Sequence, residues 1–463
     1  MKTDDVQKKI NLVILTAFVC FVANQAMIAI YRDLNANGLG IWVYTDWLIN
    51  YSTGFIRRGL AGEFILSMSE VVAPYKMAII LSWALYISLC VSLFYLISKN
   101  IKRIPPLYLL VVLFLPSSVL FYIFDHQALG RKETLGFLFV FFHLLILQGH
   151  ITKQRSLNSY IKNLGLLTFL LLPLHIFIHE ASLFLFVPVH LMMSWAVFSS
   201  QSNYSNTKKI TTILLCYAPI LLSFLIVFLW GRPEFSQVKE MCINLEHAGA
   251  LSSGICTRPS ANPMFALPGA LGALSWNFNE AISLSASLSK EVIFMWVMLY
   301  SLLAFITMSY LSRLSTLLSR EPELEVKVEI DENENIKDEA HSALIRFKYF
   351  IFPLICTLPL FVMGWDFGRW VAIVCINFGM ITLSKELGLL ELRSFSRQGL
   401  ILEKCAKIAG PIRLSKKSLG GFLAILLVVL CFFYLRVPHC CIKEDNFNFI
   451  AQPLQSFIQI LLK

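Results

Sequence analysis

Residues 77–98 read MAIILSWALYISLCVSLFYLIS, an apolar run without a charged side chain. A helix needs about 20 such residues to cross roughly 30 Å of hydrocarbon at 1.5 Å per residue. Similar runs recur along the chain, which has 463 residues, 57% of them hydrophobic and only 15% charged, and a mean hydropathy of +0.68. This composition excludes a soluble globular protein and predicts an all-α polytopic membrane protein.

The apolar runs predict about eleven transmembrane helices. They lie at residues 11–31, 77–98, 105–124, 133–149, 163–179, 181–199, 210–230, 291–311, 349–364, 370–384 and 419–435. We read the first run as a retained anchor, because it is long and no small-residue cleavage pattern follows it.

The basic residues predict the orientation of these helices. Lys and Arg near span ends stay on the cytoplasmic side of a membrane. With a cytoplasmic N-terminus, most of the 39 Lys and Arg residues fall in inner segments. We therefore expect a cytoplasmic N-terminus, a periplasmic C-terminus and a bacterial inner (plasma) membrane location. This bias explains the net charge of +10 without a nucleic-acid partner.

Residues 1–463 are treated as a single integral membrane domain with four long connections. Residues 32–76 form the first predicted periplasmic segment, and residues 231–290 form a periplasmic cap loop of largely irregular structure. On the inner side, residues 312–348 form an acidic, solvated loop. Residues 385–418 form a basic loop that we expect to lie on the anionic inner leaflet.

The first periplasmic segment interleaves aromatic and polar residues around Trp42, Tyr44 and Trp47. This pattern favours an interfacial helix with its rings at headgroup level, followed by a glycine-flanked turn that presents Arg57 and Arg58.

Two of the eleven cysteines lie in the predicted cap loop. Cys242 and Cys256 could close a loop worth roughly 3 kcal/mol in an oxidising periplasm, or could remain free.

Ionisable residues gather at the predicted outer ends of the spans. They are Asp46, Arg57, Arg58, Glu63, Asp125, His126, Arg131, Lys132, Glu133, His179, Glu180, Asp366 and Arg369. Charges near hydrocarbon cost several kcal/mol unless they face a cavity or a partner, so they are candidates for function.

Each group also has a structural interpretation. Asp46 and Asp125 are the candidate general bases, although Asp46 could be a helix cap. Arg57 and Arg58 suit a phosphate, because guanidinium binds it bidentately, but they could contact ordinary headgroups. Arg131 and Lys132 suit phosphate or sugar, with Glu133 paired to a cation.

The remaining two groups lie at later span ends. Asp366 and Arg369 could form a salt bridge at a membrane exit, or a substrate-binding Arg with a supporting Asp. For His179 and Glu180 we favour a place in a polar cavity over metal binding with His175, and we expect no metal.

At these residues the chain resembles the GT-C superfamily of polyprenyl-phosphate-sugar-dependent membrane glycosyltransferases. In that class an acidic residue of the first outer loop acts as base or orients the acceptor, and nearby Arg or Lys holds the lipid phosphate. The resemblance implies these roles for Asp46 and for Arg57, Arg58, Arg131 and Arg369. The chain is also similar to O-antigen polymerases, which use outer arginines on undecaprenyl diphosphate.

We therefore expect glycosyl transfer from a polyprenyl-linked sugar donor to a glycan or lipid-linked acceptor on the periplasmic face, within membrane lipid. A lipid-linked donor is already activated, which implies no cofactor and fits the absence of a nucleotide-binding motif. A repeat-unit polymerase is the alternative within this chemistry. A transporter or flippase of a lipid-linked or anionic solute is the alternative from another class.

Overall fold

The computed structural model describes residues 3–35, 42–99, 101–102, 104, 106–114, 119–124, 130–151, 156–199, 201, 204–258, 266–276, 279–280, 350–361 and 366–386. Over these residues every regular element is helical and none is a strand. The predicted spans 291–311 and 419–435 and the acidic loop 312–348 lie outside them, as does the basic loop after residue 386.

Sixteen α-helices are described. They are α1 Thr3–Asn35, α2 Trp42–Trp47, α3 Gly59–Ser67, α4 Pro74–Ser98, α5 Pro106–Phe114, α6 Phe121–Phe124, α7 Glu133–Ile151, α8 Leu157–Leu166, α9 Leu172–Ile178, α10 Ser182–Leu185, α11 Val187–Ser199, α12 Asn206–Trp230, α13 Phe235–His247, α14 Ala270–Leu274, α15 Phe350–Phe361 and α16 Phe367–Glu386. A π-helical turn, Leu167–Leu171, joins α8 to α9.

Five of the described segments are long and apolar enough to cross a membrane. They are Asp5–Ile28, Pro74–Ser98, Glu133–His150, Leu157–Ile178 and Asn206–Trp230. Each coincides with a predicted span, and the shorter apolar helices α11, α15 and α16 lie at three others. The chain is a helical membrane protein.

Local sequence explains where several helices begin. The hydroxyls of Ser156 and Ser205 cap α8 and α12 by accepting from the backbone N–H three residues later. Pro74 occupies the first turn of α4, where no N–H is needed. The π-helical turn ends two residues before Pro173, whose missing N–H would interrupt a regular helix at that point.

Two predicted spans are divided. The span predicted at 181–199 consists of α10 and α11, which separate at Phe186 because Pro188 cannot donate back to the preceding turn. The span predicted at 105–124 contains α5 and the short α6, and residues 115–118 between them lie outside the described residues.

Residues 32–76, where the sequence predicts an interfacial helix, are described at 32–35 and from residue 42 onward. The described part of this segment contains two short helices, α2 and α3, and the side chains of Tyr44 and Trp47 are buried in protein. Trp47 Nε1 donates to the carbonyl of Gly130 at 2.6 Å, so this ring belongs to the core. Because these rings pack against protein, α2 and α3 lie against α4.

The core lies between α4, α7, α9, α11 and α16, and α12 packs along α9. Phe137 and Phe186 meet edge to face at 5.2 Å inside it, and Gly136 provides the space, since a Cβ there would overlap the Phe186 ring. α12 leaves Leu215 and Phe228 more than half exposed, as expected of a lipid-facing surface.

Candidate functional site

The described ionisable residues that the sequence singled out converge at one end of the helix bundle, with one exception. We call this set the ion network. It comprises Asp46, Arg57, Arg58, Arg131, Lys132, Glu133, His179, Glu180, Asp366 and Arg369. Its members come from α2, the α2–α3 loop, the turn before α7, the α9–α10 corner and the start of α16. Segments more than 300 residues apart in sequence therefore share one polar region.

Arg58 joins two carboxylates at the centre of the network. Its Nε and Nη2 donate to Glu180 at 2.8 and 2.7 Å, and its Nη1 donates to Asp46 at 3.4 Å. Every nitrogen of this guanidinium is therefore directed at a carboxylate, which is the strong bidentate geometry. Three of the five N–H donors of Arg58 are used in these contacts, so one N–H on each terminal nitrogen remains for the phosphate role expected of it.

The backbone of Arg58 is held in an unusual conformation. Its φ of 68° lies in the left-handed region, where a non-glycine residue is uncommon. Such conformations cost about 1–3 kcal/mol and cluster at functional sites. The following residue must be small, because a Cβ at Gly59 would overlap the Tyr51 ring. This tight turn directs the Arg58 side chain inward.

Asp46 is buried, with only 1% of its surface exposed. Burial alone raises the pKa of its carboxyl, but the positive charges of Lys132, Arg58 and His179 outweigh burial and hold the pKa below its usual value. Asp46 is therefore ionised at neutral pH and can accept a proton.

Lys132 is fully buried beside Asp46. Its Nζ donates to the carbonyl of Arg58 at 3.1 Å and lies 5.8 Å from the centroid of the Trp47 ring. Burial lowers the pKa of Lys132 to about 8, and the Asp46 charge opposes this shift. The turn that delivers Lys132 begins at Gly130, whose φ is 78° and which packs too closely on Ser82 for a side chain.

Glu133 lies between a histidine and an arginine from other elements. Its Oε1 is 3.0 Å from His179 Nε2 and 3.3 Å from Arg369 Nη1, although neither contact has the orientation of a hydrogen bond. Arg369 also pairs with Asp366 three residues earlier. Asp366 and Arg369 therefore form the salt bridge that the sequence offers as one alternative. Arg369 also lies beside Glu133, the first residue of α7.

Arg57 connects the network to the cap loop. Its backbone N–H donates to the carbonyl of Gly231 at 2.7 Å, and its Nη2 donates to the carbonyls of Ala273 and Leu274 at 3.3 and 3.0 Å. Its Nη1 lies 4.0 Å from Glu180. Its buried Nε has no hydrogen-bond partner among the described residues, so Arg57 retains donor capacity.

A cavity of about 650 Å³ adjoins this connection. It is lined by Arg232, Pro233, Glu234, Phe235, Ala266, Ser275, Trp276 and Glu280. Arg232 and Ser275 of this lining directly follow Gly231 and Leu274, which the Arg57 backbone and side chain contact. The volume is typical of a small-ligand site.

The cap beside the cavity is tied together covalently. Cys242 on α13 and Cys256 form a disulfide with a Cα–Cα distance of 5.8 Å. Glu246 accepts from the backbone N–H groups of Gly254 and Cys256 at 3.1 and 2.6 Å, which fixes the same loop. α13 begins with a capping box between Glu234 and Gln237.

The described ion network lacks three of the predicted site residues. Asp125 and His126 fall outside the described residues. Glu63 is exposed on α3 and accepts from the backbone N–H of Tyr51 at 3.2 Å, so it is not part of the ion network. Glu63 lies on the outer face of α3, and its proximity to Arg58 in sequence does not bring it inward.

Sequence reasoning missed two contributors to the site. Tyr122 is fully buried near Glu133, and its hydroxyl has no hydrogen-bond partner among the described residues. It was hidden inside an apolar run. Arg232 lines the cavity, and its position directly after the end of a span was the available signal.

The family model described as "Uncharacterised membrane protein Rv1490" matches residues 13–265, more than half of the chain. The chain belongs to this family. The Rv1490 match covers Asp46, Arg58, Lys132 and Glu180, and it ends before α16 with Arg369. No curated protein and no solved structure matches the chain.

Proposed function

We propose that this Rv1490 family member transfers a sugar from a polyprenyl phosphate or diphosphate carrier to a cell-surface glycan. The reaction takes place on the periplasmic face of the bacterial inner membrane, at the ion network. This proposal includes the eleven-span topology with a cytoplasmic N-terminus and a periplasmic C-terminus.

The observation that carries the proposal is the buried, ionised Asp46 held by Arg58. A base needs a carboxylate that is fixed in place and charged at working pH. Arg58 fixes the Asp46 carboxylate in place, and the positive charge of Lys132 keeps that carboxylate ionised. Arg57 lies beside this pair, its buried Nε has no hydrogen-bond partner among the described residues, and it bonds to Gly231 and Leu274, next to Arg232 and Ser275 of the cavity lining.

The chemistry assigns one role to each group. The acceptor hydroxyl attacks the anomeric carbon of the donor sugar, and its proton passes to the Asp46 carboxylate. The bond from the anomeric carbon to the carrier phosphate oxygen breaks, and the phosphate takes both electrons. Arg57 stabilises the charge that develops on that phosphate. Arg58 and Arg369 hold the carboxylates.

The location favours a lipid-linked donor. The ion network lies at the ends of apolar helices, where a polyprenyl chain would remain in hydrocarbon while its phosphate reaches the cations. The cavity offers Trp276 for stacking on a sugar ring and Glu280 and Glu234 for its hydroxyls.

The proposal is tested by replacing the gene in its native host with an Asp46→Asn version. Asn has the same shape as Asp but cannot take the proton. Because the change also removes a buried charge beside Arg58 and Lys132, the glycan is scored per molecule of folded protein in the membrane; we expect a surface glycan that lacks one sugar by mass spectrometry, and accumulation of the lipid-linked donor. An unchanged glycan contradicts the proposal.

Two other outcomes identify the alternatives. Single repeat units left on their lipid carrier indicate a polymerase. Lipid-linked precursor retained on the cytoplasmic leaflet indicates a transporter or flippase.

A further inference from the structure

The proposed reaction leaves unused a second set of polar side chains, which lies inside the apolar helices. We call it the polar column. It consists of His143 on α7, Tyr160 on α8, His190 and Ser194 on α11, and Tyr217 on α12. All five side chains are buried.

The two histidines of the column form a direct bond. His143 Nδ1 and His190 Nδ1 are 3.0 Å apart, the ring planes differ by 8°, and the ring centroids are 5.2 Å apart. The two nitrogens therefore point at each other in a shared plane. One of them must carry the proton and the other must accept it.

The hydrogen bonds beyond this pair continue in one direction. Tyr160 donates to Ser194 at 3.5 Å, so Tyr160 accepts from His143 Nε2 at 3.0 Å. His143 Nδ1 then accepts from His190. Ser194 Oγ lies 2.8 Å from the Tyr217 hydroxyl, which closes the chain.

The chain has an open end at His190. Its Nε2 is buried and has no hydrogen-bond partner among the described residues. In the arrangement above, this nitrogen carries a lone pair, so it can take up a proton.

The polar column lies deeper in the helix bundle than the ion network. His143 lies ten residues along α7 from Glu133, a rise of about 15 Å. His175 lies between these levels, four residues before His179, and its Nε2 contacts Ser182 Oγ at 3.2 Å. Polar groups thus occur at successive depths from the charged end to the middle of the bundle.

We propose that the polar column is a proton relay within the membrane, from His190 Nε2 to the Tyr217 hydroxyl. Hydronium in water that enters the bundle gives a proton to His190 Nε2, and the proton on His190 Nδ1 moves to His143 Nδ1. The His143 Nε2 proton moves to the Tyr160 hydroxyl, the Tyr160 proton to Ser194 and the Ser194 proton to Tyr217, whose own proton passes to water. Each N–H or O–H bond that breaks is replaced by one that forms, with water as the first donor and the last acceptor.

The composition of the column favours this role over helix–helix adhesion. Hydrogen bonds between polar side chains of membrane helices stabilise helix packing only modestly. Here two imidazoles and two phenols form an unbroken chain, and ionisable residues at membrane depth typically mark proton relays.

The test is proton flux in liposomes that contain the full chain, a trapped pH-sensitive dye and no sugar donor. A potassium gradient with valinomycin drives the flux. We expect wild type to acidify the interior faster than protein-free liposomes, and Tyr160→Phe to lose this flux.

Tyr86→Phe is the matched control, because Tyr86 on α4 carries another fully buried hydroxyl that is not part of the column. This hydroxyl donates to the carbonyl of Val119 at 3.3 Å. Tyr86→Phe should conduct like wild type. Ser194→Ala serves as a second variant if Tyr160→Phe does not fold. Wild-type flux equal to that of empty liposomes, or equal flux in Tyr86→Phe and a folded column variant, overturns the relay. Since no sugar is present, the result is independent of glycosyl transfer.

Discussion

Glu133→Gln tests the innermost ion pairs of the network. The side chain is fully buried, 3.0 Å from His179 and 3.3 Å from Arg369. Removing one partner of a buried pair costs about 3–5 kcal/mol, because the other charge is left uncompensated. Arg369 keeps Asp366, so we expect the lower end, about 3 kcal/mol, which is more than a hundredfold in the unfolding equilibrium.

The assay is reversible unfolding in mixed micelles, with Glu63→Gln as the matched control. Glu63 is exposed, and a Gln oxygen can still accept from the Tyr51 N–H, so a change within about 0.5 kcal/mol is expected. The double variant Glu133→Gln/Arg369→Gln should lose less stability than the two single losses combined. Equal stability of Glu133→Gln and Glu63→Gln would refute the ion-pair argument.

Three further perturbations follow from the same contacts. Lys132 binds its proton less tightly in the folded state, because its pKa falls from 10.5 to about 8. The free energy of unfolding should therefore rise by about 3 kcal/mol as the pH increases from 8 to 10.5. In a pH series of unfolding measurements, Lys132→Met should abolish this rise. Gly62→Ala should destabilise the fold by about 1–3 kcal/mol or more, because the added Cβ overlaps the α2–α3 loop backbone. Gly165→Ala is the control, since its Cβ meets open space and the change should be neutral or stabilising. Thermal unfolding measures both. Replacing Cys242 and Cys256 with Ser should cost about 3 kcal/mol and leave the free-thiol count unchanged, whereas a count that falls by two would show that no disulfide forms.

The helical framework was largely predictable from sequence, since uninterrupted apolar runs have few alternatives. The spans that became α4, α7 and α12 are examples. The division at Phe186 was missed because Pro188 lies within an otherwise continuous apolar run, and hydrophobicity alone does not register a missing N–H.

The candidate site was predictable as a set of residues but not as a set of contacts. Asp366 and Arg369 lie three apart on one helix, so their pairing follows from helical geometry. Arg58 and Glu180 are 122 residues apart, and their pairing depends on how α3 packs on α9. The polar column was invisible because His143 and His190 lie singly in separate apolar helices.

The central claim is that Asp46 acts as base in sugar transfer from a lipid carrier. The most direct measurement reconstitutes the chain in liposomes with a panel of labelled undecaprenyl phosphate hexoses and acceptor membranes from a strain that lacks the chain. The account predicts that wild type and Asp5→Asn, a change at an exposed carboxylate, release undecaprenyl phosphate, and that Asp46→Asn does not. Equal release by Asp46→Asn and wild type, or no release by wild type from any donor of the panel, would contradict it.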